Sequence, residues 1–199
     1  LDRLLAGYGK AAAAFDEMLA PDGSVRPHWR GFVDGFAGMG PEGRAAAAES
    51  TRRLLRESGI AFNVYADPDD RAHAWRLDLV PVLLPHDEWG RLSAGILQRA
   101  RLIDAVLADL HGKQRLLQDG SLPASLLLGS PAFVRTSVDR EAPERRFLYA
   151  YACDVARAAS GEWVVLGDQT DTAIGNGYAL ASRVALSHGL AQLFRDCRT

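Results

Sequence analysis

The chain has 199 residues, of which 48% are apolar and 24% are charged, and its formal net charge at pH 7 is -2. This composition fits one large or two small globular domains with a substantial core. A charge so close to zero gives no electrostatic reason to expect nucleic acid or an anionic membrane as a partner. No apolar run approaches the roughly 20 residues that span a bilayer, and the N-terminus lacks the layout of a signal peptide. We therefore expect a soluble cytoplasmic protein.

The first part of the chain is predicted to be helical. Apolar residues recur there at helical spacing and predict a short amphipathic helix: Trp29, Phe32, Val33 and Phe36. A second helix is expected from near Pro41 to Glu57, with Gly59 as a left-handed cap at its end. We accordingly divide the chain into an N-terminal helical segment, residues 1–59, and an α/β portion, residues 60–199.

Two extended segments and a long helix are predicted next. Ile60–Tyr65 is expected to be a strand, Ala66–Arg71 a polar loop, and Ala74–Leu84 a second extended segment that Pro81 interrupts. The region Pro85–Leu110 has the clearest helical pattern of the chain. Its apolar stripe, which we expect to pack against a sheet or other helices, consists of Trp89, Leu92, Ile96, Ala100, Ile103, Leu107 and Leu110.

The last third of the chain is predicted to hold a hairpin between helices. Helical turns are expected at Gln114–Gln118 and Pro123–Leu128. Phe147–Val155 and Trp163–Leu166 are predicted to pair as antiparallel strands, and Tyr178–Phe194 is predicted to be a helix. This mixture of helices and scattered strands indicates an α+β or mixed α/β fold.

Polar and small residues follow the second strand of the hairpin and precede the last helix. They are Asp168, Gln169, Asp171, Gly175, Asn176 and Gly177. Backbone N–H groups can converge on a ligand where glycines leave room, so this loop is a candidate site for a phosphate or a cation. In the alternative interpretation the polar side chains bond to the loop backbone, and the glycines serve only to permit positive φ. Arg183 is either a residue that reaches back to the same anion or a solvated residue of the helix.

Taken as one ordered series, several segments resemble the circularly permuted ATP-grasp proteins, and are similar to the synthetase half of glutathionylspermidine synthase. The series covers most of the chain from about Phe15 onward. Its members are IAFNVY at 60–65, WRLDLVPVLLP at 75–85, EWGRLSAGILQRARLIDAVLADLHGKQRLL at 88–117, LLLGSPAF at 126–133, FLYAYACDVARAASGEWVVLGDQ at 147–169 and GYALASR at 177–183.

The resemblance implies a partial ATP-grasp fold and an ATP-dependent carboxylate-amine ligase. In that reaction ATP with Mg²⁺ activates a carboxylate as an acyl phosphate, and an amine then attacks to form an amide. The implied partners are small-molecule or peptide carboxylates and amines. The resemblance strengthens the prediction that Gly175, Asn176, Gly177 and Arg183 bind phosphate.

The resemblance also implies where Mg²⁺ is held. In the family, one ligand is an Asp on the first strand of the hairpin, and a Glu and an Asn follow at the end of the second. Asp154 stands at the first position, whereas Gly167 and Gln169 stand at the other two. Gln169 retains an amide oxygen, and Asp168 is a further candidate carboxylate. The altered positions favour a second hypothesis, a degenerate ATP-grasp scaffold that acts as a binding or assembly module.

The chain is expected to be one part of a longer protein. It begins at Leu1 without a methionine, and its two lysines, Lys10 and Lys113, stand in no convincing nucleotide setting. In the family the lysines that grip the nucleotide belong to a later part of the polypeptide. We therefore expect this chain to be inactive alone, with the remainder of the polypeptide or a partner domain completing the ATP site.

Overall fold

A computed structural model describes residues 8, 14–59, 61–62, 73–139, 146–171 and 175–196 of the chain. These residues form two compact units, and neither unit is one continuous stretch. The first comprises Leu1–Pro85, Arg157–Glu162 and Ile174–Thr199, and the second comprises His86–Ala156 and Trp163–Ala173. The sequence-based division into residues 1–59 and 60–199 stays a prediction.

Helices dominate the described residues, and two short two-stranded sheets accompany them, which confirms the predicted α+β class. In chain order the elements are α1 (Pro27–Gly38), α2 (Gly40–Glu57), β1 (Ala61–Phe62), β2 (His73–Ala74), α3 (His86–Leu110), α4 (Arg115–Gln118), α5 (Ala124–Leu128), the 3₁₀ turn Arg135–Ser137, β3 (Ala152–Arg157), β4 (Trp163–Gln169), α6 (Asn176–Gly189) and α7 (Ala191–Asp196). Among the described residues, none of these helices combines the length and the apolar character needed to cross a bilayer.

The first two helices begin and end where backbone geometry requires it. Pro27 opens α1, where its missing N–H costs nothing because the first helical N–H groups have no intrahelical partner. Gly40 and Gly59 both have φ of +66°, a left-handed conformation that glycine adopts without a Cβ clash. Gly59 follows the C-cap residue Ser58 at the end of α2, so the predicted helix and its left-handed glycine are confirmed.

The first unit buries an apolar core between its helices, in which α2 packs along α6 and α1 packs against α7. The core residues are Trp29, Phe32, Val33, Ala47, Leu186, Leu190 and Leu193. Leu77, Leu79 and Leu83 of the extended segment after β2 pack against this core at every second or fourth position, as alternation of side chains along an extended chain allows.

The strands before that segment pair antiparallel, with Ala61 opposite Ala74 and Phe62 opposite His73. The predicted strand Ile60–Tyr65 is thus described at two of its positions, and the predicted polar loop Ala66–Arg71 lies outside the described residues. The predicted helix Tyr178–Phe194 is instead two helices, α6 and α7, which are separated at the buried Leu190.

The helices α2 and α6 approach closely where Gly189 meets Thr51. A Cβ on residue 189 would lie 2.1 Å from Thr51 Oγ1 and 3.1 Å from the carbonyl oxygen of Ala47. Thr51 is 2% exposed, and its hydroxyl has no hydrogen-bond partner among the described residues. The absence of a side chain at Gly189 therefore sets the distance between the two helices.

In the second unit, α3 is the longest element and carries its apolar stripe as predicted, but much of that stripe is accessible. Leu110 is buried, whereas Trp89 is 51% exposed, so the expectation that the stripe packs against other elements is wrong for Trp89. The acidic residues Asp87 and Glu88 lie in the first turn of α3, where they interact favourably with the positive end of the helix dipole.

The substitution Gly189→Ala is expected to destabilise the protein by about 1–3 kcal/mol, because a close-packed contact has no room for the added methyl group. Gly90→Ala is the matched control, since no described heavy atom lies within 4 Å of the Cβ it would add. In a helix that change should be neutral or stabilising by up to about 1 kcal/mol. Urea unfolding of both variants measures the difference, and equal stabilities would contradict the close contact.

Candidate metal and phosphate site

The hairpin that carries the candidate metal ligands is confirmed, with shifted limits. Strands β3 and β4 are hydrogen-bonded neighbours joined by the tight turn at 158–162, so they run antiparallel. Within the turn the Gly161 N–H donates to the carbonyl of Ala158 at 2.8 Å, and Gly161 has φ of +89°. The strand β4 extends three residues beyond the predicted end at Leu166, so Gly167, Asp168 and Gln169 belong to the strand.

The first strand begins at Ala152, five residues later than Phe147, because α3 supplies other partners for the preceding backbone. The Asp104 carboxylate accepts hydrogen bonds from the N–H groups of Phe147 and Leu148, both at 2.8 Å. The Phe147 ring also stacks on His111, with 4.9 Å between ring centroids. These contacts attach the entry of the hairpin to α3 and take its N–H groups away from strand pairing.

The turn of the hairpin belongs to the first unit, where an ion pair holds it. Arg157 donates to both carboxylate oxygens of Glu17, at 2.9 and 3.0 Å, and to the carbonyl of Gly161 at 2.9 Å. Its guanidinium also lies 4.8 Å from the centre of the Phe15 ring. The Arg157 side chain is 11% exposed, so this is the more enclosed of the ion pairs that the hairpin makes.

One face of the hairpin borders α3 across a groove of about 710 Å³. The groove is lined by Arg91, Leu92, Gly95, Ile96, Gln98, Arg99, Leu102, Val155, Trp163 and Val165. Asp154 is exposed, and its Oδ2 lies 3.8 Å from the point where a Cβ of residue 167 would be. Asp154 and position 167 therefore share one face of the hairpin, which we call the Asp154 face.

Asp168 has a different environment. Both of its oxygens accept hydrogen bonds from Arg99 of α3, Nε to Oδ1 at 2.6 Å and Nη2 to Oδ2 at 2.7 Å. The Tyr151 hydroxyl donates to the same Oδ1 at 2.5 Å. This bidentate pair leaves little capacity on Asp168 for a further cation. Gln169 lies next to it, exposed at the end of β4.

The pKa of Asp168 is lowered, whereas the pKa values of Tyr151 and Arg99 are raised. The Arg99 guanidinium, assisted by the Tyr151 hydroxyl, lowers the pKa of Asp168 to about 2. Burial, together with the hydrogen bond to Asp168, raises the pKa of the Tyr151 phenol. The neighbouring Asp168 raises the pKa of the Arg99 guanidinium. At neutral pH, Asp168 is therefore a carboxylate that accepts from two protonated donors.

The candidate phosphate-binding residues lie in the first unit, at the start of α6. Gly175 is the N-cap with φ of +108°, and Asn176 and Gly177 are exposed in the first turn. Arg183 lies farther along the helix, and its guanidinium is 5.9 Å from the centre of the Phe194 ring. The candidate metal residues belong to the second unit, so the joint use of the two sets in one site stays a prediction.

Mg²⁺ sites in proteins commonly use one or two carboxylates together with substrate phosphates and water. Asp154 fits that requirement, because among the described residues no hydrogen bond or ion pair engages its carboxylate. Asp168 does not fit it, because Arg99 and Tyr151 already occupy both oxygens. Within the described ranges, no group of three or more His, Cys, Asp or Glu side chains is arranged to hold a metal ion by itself.

Sequence reasoning overlooked two residues of this region, Arg99 and Tyr151. Arg99 is 69 residues from Asp168 in the chain, and its position on α3 is the polar edge of an ordinary amphipathic helix. Helical periodicity predicts which side of α3 is polar, but it carries no information about which arginine meets a strand so distant in sequence. No local motif marked the pair.

The chain was compared with known proteins. The family model described as circularly permuted ATP-grasp type 2 matches residues 81–199. The uncharacterized protein Rv2567 of Mycobacterium tuberculosis is 34% identical over 217 residues, covering 98% of this chain and 24% of that protein. The uncharacterized protein ML0605 of Mycobacterium leprae is 30% identical over 200 residues, covering 99% of this chain and 35% of that protein. The chain thus spans about a quarter to a third of the length of these curated relatives.

Asp104→Asn tests how the entry of the hairpin is held. The backbone N–H groups of Leu148 and Phe147 lower the pKa of Asp104 from its ordinary value of 3.8. A lowered pKa in the folded state adds stability above the ordinary pKa, and that stability is lost as the pH falls through the folded value. The variant should therefore be less stable than the parent at pH 7, with the difference shrinking toward pH 2.5. Thermal unfolding across this range measures it, and parallel curves would contradict the assignment.

Proposed function

Because the chain belongs to the circularly permuted ATP-grasp family, we propose that it is part of an ATP-dependent carboxylate-amine ligase. The proposal concerns the whole protein, since the chain corresponds to only part of its relatives. Within the family, similarity to glutathionylspermidine synthase favours a small-molecule or peptide acid and an amine as substrates. The α+β fold of the described residues is that of a partial ATP-grasp domain.

The proposed reaction has two steps. A carboxylate oxygen of the acid attacks the γ-phosphorus of ATP, ADP leaves, and an acyl phosphate forms. The amine nitrogen then attacks the acyl carbon, phosphate leaves, and the nitrogen gives up a proton to form the amide. Such chemistry depends on positioning and on neutralising the charge of the phosphates. A bound Mg²⁺ supplies that neutralisation.

One observation supports this proposal most directly, the open carboxylate of Asp154 on the Asp154 face. Asp154 would hold Mg²⁺, with the amide oxygen of Gln169 as a further ligand. The backbone N–H groups at Gly175, Asn176 and Gly177 would receive phosphate oxygens, since the first N–H groups of a helix have no intrahelical partner and carry partial positive charge. Arg183 would contribute charge to the same region.

A second function is favoured by a different observation. Gly167 brings no side chain to the Asp154 face, and Asp168 is engaged by Arg99, so one carboxylate and the Gln169 amide stand where the family uses two carboxylates and an amide. A scaffold that retains the fold but has lost turnover would show this pattern. Such a protein would act as a binding or assembly module.

The substitution Asp154→Asn tests the first function in the native full-length protein. Removal of the metal-binding charge should weaken Mg²⁺-dependent ATP binding at least about tenfold, since even partners of metal ligands commonly contribute that much. Isothermal calorimetry with ATP, with and without Mg²⁺, measures the effect. Glu162→Gln is the matched control, because this exposed carboxylate lies on the hairpin turn. If the unaltered protein binds no nucleotide, the ligase proposal is wrong.

The double substitution Gly167→Glu with Gln169→Asn discriminates between the two functions. Position 167 has room for a side chain, because the nearest described atom to its Cβ, Asp154 Oδ2, lies at an ordinary contact distance of 3.8 Å. A degenerate scaffold should gain ATP turnover, or at least Mg²⁺-dependent ATP binding, from the restored ligands. Turnover already present in the unaltered protein would eliminate the scaffold hypothesis. Release of ADP, measured in a coupled assay, distinguishes the outcomes.

A further inference from the structure

We propose that Asp168 is a positioning residue, which with Arg99 and Tyr151 forms a clamp that fixes β4 along α3 and so orients the Asp154 face. This inference rests on the proposed function for its consequence, the binding of Mg²⁺ and ATP. It assigns Asp168 a role different from that of a metal ligand, and it adds two residues for which the family resemblance implied no role.

The clamp joins three separate pieces of the second unit. Arg99 comes from the middle of α3, Tyr151 immediately precedes β3, and Asp168 is the penultimate residue of β4. Tyr151 and Asp168 therefore meet at the open end of the hairpin, opposite the turn at 158–162. A two-stranded hairpin is marginally stable by itself, and its open end has no covalent closure. The clamp supplies that closure.

A second contact fastens the other end of β4 to the same helix. The indole Nε1 of Trp163 donates to Glu88 Oε1 at 2.7 Å. Glu88 and Arg99 lie about 16 Å apart along α3 at the helical rise of 1.5 Å per residue. Trp163 and Asp168 are separated by nearly the same length at about 3.3 Å per residue of strand. The two contacts thus match in spacing and set the register of β4 on the helix.

Apolar packing between these two points is incomplete, which makes the polar contacts more important. The groove of about 710 Å³ lies between α3 and the hairpin, and Gly95 lines its helical side. No described heavy atom lies within 4 Å of the Cβ that Gly95 lacks. Where side chains leave such space, the ends of β4 are held by their hydrogen bonds rather than by close packing.

The positions that would bind a metal lie beside the clamp. Gly167 and Gln169 flank Asp168 directly, and Asp154 is three residues from Tyr151. A displacement of Asp168 would therefore move positions 167 and 169 relative to Asp154. The clamp determines the geometry of the Asp154 face, although its own carboxylate is turned to Arg99.

The same helix offers a matched control. Arg91 and Asp87 also form an Arg and Asp pair, but through one contact of 3.1 Å, with both side chains 72% exposed. Both residues of that pair belong to α3, so the pair does not connect the helix to another element. Exposed pairs of this kind contribute little to stability, so their removal should leave the hairpin unchanged.

The first measurement is hydrogen exchange in the native full-length protein, which needs no ligand. We expect Arg99→Gln and Asp168→Asn each to raise amide exchange at least about tenfold at 167–169, since a lost anchor allows local opening. In these two variants, amide exchange at 158–162 should equal that of the unaltered protein. The control variant Arg91→Gln should leave exchange at 167–169 unchanged. Arg99→Lys should give an exchange rate at 167–169 between those of the unaltered protein and Arg99→Gln, because lysine keeps the charge but cannot form the bidentate hydrogen bonds. Unchanged exchange at 167–169 in both variants would overturn the clamp.

The second measurement separates positioning from metal ligation. If Asp168 positions the face, Arg99→Gln and Asp168→Asn should weaken Mg²⁺-dependent ATP binding by similar factors, about tenfold, as for other residues that support metal ligands. Exchange of the two charges, Arg99→Asp with Asp168→Arg, should recover most of that binding. If Asp168→Asn and the charge-swapped variant both lose Mg²⁺-dependent ATP binding while Arg99→Gln does not, Asp168 is instead a metal ligand. If the unaltered protein binds no nucleotide but the hydrogen-exchange results are as expected, the proposed function is overturned and the clamp is not.

Discussion

The bidentate contact between the Arg99 guanidinium and the Asp168 carboxylate ties β4 to α3 within the second unit. It is charge-assisted and planar, and it connects a strand with a helix from a distant part of the sequence. Its partner Tyr151 ties the same carboxylate to the beginning of the hairpin. Because the neighbouring groove leaves α3 and β4 incompletely packed, a directional polar contact takes the place that interdigitated side chains would fill in a dense core.

This arrangement explains how one hairpin can carry two carboxylates with different roles, Asp154 on β3 and Asp168 on β4. Asp154 and position 167 share the Asp154 face, whereas Asp168 is bonded to Arg99 of α3. A carboxylate with a full set of donors remains ionised and holds its place, and an open one is available to a ligand. Two carboxylates of the same hairpin can thus have unrelated functions, and their hydrogen-bond partners distinguish them.

Most of the helical structure could be predicted from the sequence, because its determinants are local. The spacing of apolar residues was sufficient for α1 and α3, and Pro41 and Gly59 indicated the limits of α2. The start of β3 was predicted too early, because Asp104, 43 residues before Phe147, removes that backbone from the ladder. The clamp depends on a still more distant partner, since Arg99 and Asp168 are 69 residues apart. Contacts of this kind leave no periodic signal, so sequence patterns alone identify the candidate carboxylates without showing which one is engaged.

The interleaved composition of the two units has a consequence for how such a domain can be inherited or dissected. The chain passes from one unit to the other at positions 85, 156, 162 and 173, and the pair Arg157 and Glu17 closes a loop of 140 residues. Contacts over such separations are slow to form, because chain entropy is lost before they are made. Neither unit can be cut out of the gene as a single segment.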